Sequence, residues 1–170
     1  MAVLVKEVMI KDIVTLSDKA TIGEAVETFA TKEIGCLPMV DENGNLTAFL
    51  SDGDIVNYVV SNVRLAETES KNYRYRYPKE ICTNYFTMLL KNCVDKPAYN
   101  AATHRVVTVS EADTVRRTAE IMQKKHLKHL PVLSEDGKLV GLITRNDIIN
   151  GLFRDYLEDP DAPCIEGFGY

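Results

Sequence analysis

The chain repeats itself: residues 12–56 align without a gap on residues 105–149, an offset of 93, with 13 identities in 45 positions. Self-similarity over such a span constrains architecture more than any single motif does. Each copy carries the same order of elements. A short strand is expected at Ile13–Leu16 and again at Val106–Val109. Ile22, Ala25, Val26 and Phe29 follow at i, i+3, i+4 and i+7, which makes one apolar helix face. Thr21 with Glu24 three residues on is a capping-box start for that helix. Two apolar strands come next, Cys36–Val40 and Leu46–Leu50 in the first copy, Leu130–Leu133 and Leu139–Ile143 in the second. Asn43-Gly44 and Asp136-Gly137 supply the positive φ angles that their tight turns need. A second helix starts near Asp52 and near Arg145.

The expected fold class is therefore α+β, as two pseudo-symmetric β-α-β-β-α repeats. A unit of about 50 residues leaves most of its core exposed when alone. The expectation is that the two pack through their sheets, with a pair of related clefts where they meet. We divide the chain into a first repeat (1–60), a connecting segment with a helix at Lys79–Asn92 (61–100), a second repeat (101–156) and an acidic, proline-broken tail (157–170).

Composition narrows the function classes. No apolar run approaches the roughly 20 residues of a membrane helix, and Lys6 and Glu7 break up any secretory leader. The four cysteines, Cys36, Cys82, Cys93 and Cys164, have no ligand-like spacing and read as cytoplasmic thiols. Net charge is −5, with the acid excess in residues 1–60 and 151–170 and a mild basic excess between them. That balance is too weak for general nucleic-acid binding, yet it suits one small anion. No nucleophile–base set and no Gly-rich phosphate loop is present, so no enzyme is expected and no cofactor is required.

Several segments resemble a tandem pair of cystathionine-β-synthase-type (CBS) domains, a Bateman module. They are Val5-Lys6-Glu7-Val8-Met9, Gly35-Cys36-Leu37-Pro38-Met39-Val40 and Phe49-Leu50-Ser51-Asp52-Gly53-Asp54-Ile55. The second copy has Lys128-His129-Leu130-Pro131-Val132 and Gly141-Leu142-Ile143-Thr144-Arg145-Asn146-Asp147-Ile148. The resemblance implies a sensor of an adenosine-containing ligand: AMP, ADP or ATP first, S-adenosylmethionine or NAD otherwise. It also implies a disc-shaped homodimer, and a protein effector whose identity the sequence does not give. Ile55, Val56, Val59 and Val60 are the apolar face expected to make the dimer contact. A ligand-free dimerisation or scaffold module is the alternative.

Candidate site residues follow from both sources. Ser51-x-x-Asp54 and Thr144-x-x-Asp147 fit helix caps by spacing alone; by resemblance they are ribose-binding, each carboxylate accepting from the 2′ and 3′ hydroxyls. Phosphate-binding candidates are Arg145, Lys125 and His126 in the second copy and Lys32 in the first. Glu33 and Asp52 disfavour an anion in the first copy, which is expected to be empty or weak. The family pattern places adenine beside Met9, Val14, Gly35 and Cys36 in one copy and beside Ala102, Val107, Lys128 and His129 in the other. Plain core packing is the alternative for the apolar members. The second copy departs from the pattern, because its lead-in Pro97–Ala102 lacks the methionine of the first. His126 and His129 have no third partner for a metal, and nothing in the sequence activates Cys36. The run Asn72–Tyr77, alternating tyrosine and arginine, is read as a solvent face or protein contact rather than a base-stacking platform.

Overall fold

The computed structural model describes residues 2–69 and 90–158. The Asn72–Tyr77 run, most of the Lys79–Asn92 helix and the tail from residue 159 lie outside the described residues. In chain order the elements are α1 (Val5–Val8), β1 (Leu16–Ser17), α2 (Ile22–Lys32), β2 (Cys36–Val40), β3 (Leu46–Ser51) and α3 (Asp52–Glu69). A 3-10 turn at Ala98–Asn100 leads to β4 (Val109–Ser110), α4 (Val115–Lys125), β5 (His129–Leu133), β6 (Leu139–Thr144) and α5 (Arg145–Glu158). Mixed α+β architecture with a duplicated β-α-β-β-α unit is what the sequence pattern predicts.

Each repeat builds one three-stranded sheet, β1-β2-β3 or β4-β5-β6, parallel across the first pair and antiparallel across the second. The opening strands are two residues long and begin later than the sequence suggests. Proline explains where the parallel ladder stops. β1 pairs only with Met39 and Val40, and the preceding residue on β2 is Pro38, which has no N–H to extend it. Pro131 stands at the same place before Val132 in β5. The hairpin turns also differ from the expectation: Gly44 (φ 76°) and Gly137 (φ 74°) take the positive angle while Asn43 and Asp136 do not. Gly44 N donates to the Asp41 carbonyl and the register shifts at Met39/Val40, a turn closed by one left-handed glycine and a bulge.

The helices start as their sequences dictate. Thr21 Oγ1 accepts from Glu24 N (3.2 Å) and Glu24 Oε2 accepts from Thr21 N (2.7 Å), so both halves of the capping box are made. Ile22 and Ala25 are fully buried, and Val26 and Phe29 pack against the same core. α4 keeps the cap, with Thr114 Oγ1 accepting from Arg117 N.

The chain forms two compact units, residues 14–106 and residues 1–13 with 107–170. The lead-in of each repeat is thus built into the unit of the other. Ile10 and Leu142 exchange two backbone hydrogen bonds (2.8 and 2.9 Å), and so do Thr103 and Phe49 (2.8 and 2.9 Å). Val115 N donates to Val3 O in one unit, and Ile22 N to Lys96 O in the other. The core of the first-repeat unit holds Leu37, Met39, Leu50 and Val59; that of the second-repeat unit holds Val5, Val115, Leu130, Val132 and Ile143. One expectation is corrected here. Ile55 and Val59 are buried in their own unit's core and are unavailable for a dimer contact, whereas Val56 and Val60, one residue round the helix, are exposed.

Candidate functional site

Among the described residues a strand runs directly into a helix twice, at β3–α3 and β6–α5, and the two junctions have one geometry. At β6–α5, Thr144 N and Thr144 Oγ1 both donate to Asp147 Oδ2 (2.8 and 2.7 Å), and Asp147 N donates back to Thr144 Oγ1 (3.3 Å). At β3–α3, Ser51 N and Oγ donate to Asp54 Oδ2 (2.8 and 2.7 Å), and Asp54 N donates to Ser51 Oγ (3.2 Å). These are reciprocal helix caps in both copies. The bonding also settles what chemistry is left over. Each hydroxyl has committed its only proton, so towards a ligand it can accept but not donate. Each carboxylate uses Oδ2 for both incoming bonds, and Oδ1 takes part in neither. All four side chains are half-buried at their junctions.

The antiparallel ladders bring further candidates beside these caps. His129 is the register partner of Thr144, and Cys36 is that of Ser51. Arg145 N donates to Lys128 O (3.1 Å) and Asp52 N to Gly35 O (3.0 Å), which ties each helix start to the residue before the middle strand. The structure therefore gathers Lys128, His129, Thr144, Arg145 and Asp147 at one junction, and Gly35, Cys36, Ser51, Asp52 and Asp54 at the other. Lys32 and Lys125 are exposed in the last turns of α2 and α4.

The other adenine-side candidates are distributed by the exchange of lead-ins. Met9 belongs to the second-repeat unit and packs on its core, as does Val107. Ala102 and Val14 pack on the core of the first-repeat unit. Met9 is thus in a different unit from Gly35 and Cys36, and Ala102 from Lys128 and His129. Only the register of the backbone reveals this, since no local residue pattern marks an exchanged strand.

The Arg145 side chain donates through Nε to the Leu127 carbonyl (2.9 Å), and it lines with His126 an open cavity between α4 and α5. Thr144 and Asp147 do not line that cavity. Burial, helped by the negative charge of Asp52, pushes the Cys36 thiol up to about 11, so it is fully protonated at neutral pH. Among the described residues no group of three or more His, Cys, Asp or Glu side chains is placed to hold a metal. No helix of the described residues is long and apolar enough to cross a membrane.

The family model of the CBS domain matches residues 5–61 and 98–154. An uncharacterised protein of Methanocaldococcus jannaschii is 27% identical over 158 residues, spanning 88% of this chain and 90% of that protein. Among solved structures, the CBS-pair protein CBSX2 from Arabidopsis thaliana, in complex with AMP, superposes with a TM-score of 0.65. It is 19% identical and covers 90% of this chain and 98% of that one. The CBS domain pair of protein MJ0100, in complex with 5′-methylthioadenosine and S-adenosyl-L-methionine, gives a TM-score of 0.66. It is 24% identical, covering 91% and 98%. At these identities the two likenesses establish the fold.

Proposed function

The chain belongs to the CBS domain family, with its two domains at residues 5–61 and 98–154, and we propose that it is a regulatory module that binds an adenosine-containing ligand. The observation that carries this reading is the Thr144–Asp147 cap. Two donors fix the carboxylate through Oδ2, and the rigid Oδ1 is left to accept from the vicinal hydroxyls of a ribose. His129 and Lys128 adjoin that cap through the β5–β6 ladder, and the ammonium groups of Lys124, Lys125 and Lys128 draw the anionic end of the ligand. AMP, ADP or ATP is the leading ligand class; S-adenosylmethionine and NAD share the same adenosine. Solved proteins of this fold bind AMP in one case and 5′-methylthioadenosine with S-adenosyl-L-methionine in another.

Binding regulates by differential affinity for two arrangements of the protein. The change is passed to an effector protein or through a homodimer, in which the exposed Val56 and Val60 take part. The module works in the cytoplasm, and neither nucleic acid nor membrane is its partner.

Thermal unfolding with AMP, ADP, ATP, S-adenosylmethionine, NAD and deoxy-AMP tests the reading. A ligand at 100 times its Kd stabilises the folded state by about 2.7 kcal/mol, a rise in Tm of roughly 5–10 °C for a chain of this size. The expected result is such a shift for one ribonucleotide and a much smaller one for its deoxy form. The cap bonds by themselves account for both Ser/Thr–Asp pairs, which favours a scaffold as the second reading. A flat response across the whole set would establish that alternative.

A further inference from the structure

The cavity between α4 and α5 has the features of a ligand site that the adenosine reading does not use. It holds about 380 Å³ and lies wholly within the second-repeat unit, within the usual size range of small-molecule pockets. Met122, Ile148 and Ile149 contribute its apolar wall, Gln123, His126 and Arg145 its polar groups, and no acidic side chain lines it. Arg145 is held in place: its Nε–H is bound by the Leu127 carbonyl at 2.9 Å, which leaves the two Nη groups as a fork for an anion. No ion pair among the described residues engages that guanidinium. His126 sits at the left-handed corner after α4 (φ 56°), a conformation in which glycine would be less strained.

The first repeat is an internal control. At the positions matching Met122, His126, Arg145 and Ile149 it carries Phe29, Glu33, Asp52 and Val56. The backbone is the same there, including the left-handed corner at Glu33 (φ 53°). Acids stand in place of the histidine and the arginine, and the methionine has become a larger ring. The pair of nitrogen donors is therefore a property of the second repeat rather than a requirement of the fold.

We propose that this cavity binds a small amphiphilic carboxylate. Its apolar body packs on Met122, Ile148 and Ile149, and its carboxylate takes hydrogen bonds from the Arg145 fork and the His126 imidazole. An apolar helix from another chain would cover the same wall but strip water from the guanidinium without returning an acceptor, an unfavourable exchange. A nucleotide fits poorly for the opposite reason, since its polar sugar and base would meet an apolar wall.

The test uses the full chain and two probes of one shape, sodium octanoate and 1-octanol, titrated by isothermal calorimetry. Octanoate is expected to bind saturably, with octanol weaker by about tenfold or more. Arg145→Gln and His126→Glu, each shown folded by circular dichroism, are each expected to lower octanoate affinity by about tenfold. Asp147→Asn, which disturbs the ribose cap, is expected to leave it unchanged. No octanoate binding, equal binding of octanol, or undiminished binding by Arg145→Gln would each overturn the site. A loss of octanoate binding in Asp147→Asn would overturn its independence from the cap. None of these outcomes depends on whether AMP binds.

Discussion

The two repeats share a backbone and differ in chemistry, and the contrast shows where this fold keeps its freedom. Left-handed corners at residues 33 and 126, helix-start amides bound to the carbonyls of Gly35 and Lys128, and reciprocal Ser/Thr–Asp caps recur in register. These features are satisfied by main chain and by two short side chains. The side chains at and beside these points diverge: Glu33, Gly35, Cys36 and Asp52 stand where the second repeat has His126, Lys128, His129 and Arg145. One copy presents acids and a thiol where the other presents cations and two imidazoles. A duplicated scaffold of this kind can hold two sites of opposite character without altering its core.

The largest effect is expected where the copies trade volume. A Cβ on Gly141 would lie 2.7 Å from Met9 Sδ and 3.0 Å from Ile10 O. In the first repeat Ala48 occupies the place of Gly141, and Ala102 that of Met9. Bulk on the sheet is exchanged for bulk on the lead-in. Gly141→Ala should destabilise the protein by about 1–3 kcal/mol in urea unfolding, as overpacking does. Met9→Ala combined with Gly141→Ala recreates the first-repeat pair, so the double variant should lose less than the sum of the single losses. Strict additivity would show that the exchange of volume is coincidental.

That pair also marks the limit of what is legible in the chain. Periodicity 3.6 found α2, apolar runs found β2, β3, β5 and β6, and Thr21 with Glu24 found a real capping box. These signals are local, and each involves residues within a few positions of one another. The pairing of Ile10 with Leu142, or Thr103 with Phe49, depends on backbone groups far apart in sequence, and every residue type has those groups. The exchange of lead-ins therefore left no residue-type signal. The same reason separates Met9 from its apparent neighbours Gly35 and Cys36. At the caps the sequence identified both partners but not the oxygen that remains available. That Arg145 and His126 line one cavity, which Asp147 does not, needed side-chain geometry.

A smaller effect tests whether the caps are only caps. Asp54→Ala and Asp147→Ala each remove two acceptor bonds at a helix start and should each destabilise by about 1 kcal/mol. Urea unfolding should find the two losses nearly equal, because the cap distances match to within 0.1 Å. Ligand response should separate them. Asp147→Ala is expected to abolish the thermal shift given by the responding ribonucleotide, and Asp54→Ala to preserve most of it. Equal loss of response in both would place binding on the two repeats alike and remove the asymmetry.

At neutral pH the smallest effect belongs to Cys36, which stands where the second repeat has His129. Its folded pKa of about 11 lies above the ordinary value of 9.0, raised first by burial and then by Asp52. The folded state therefore holds the thiol proton more tightly than the unfolded chain does. Below pH 9 both states are protonated and the full contribution to stability is present, with no pH dependence from this group. Between pH 9 and 11 the unfolded chain deprotonates first, and stability falls as the pH rises. Lysines and tyrosines titrate in the same window, so the informative quantity is the difference between the wild type and Cys36→Ala. Urea midpoints for the two should run parallel below pH 9 and converge from pH 9 to 11 as the wild type loses its contribution. At pH 8 only about one part in a thousand of the thiol is ionised, and iodoacetamide should label Cys36 far more slowly in the folded protein than after unfolding. Equal labelling rates, or midpoints that stay parallel to pH 11, would mean that the thiol is solvated and that the first-repeat junction is as open as a cationic one.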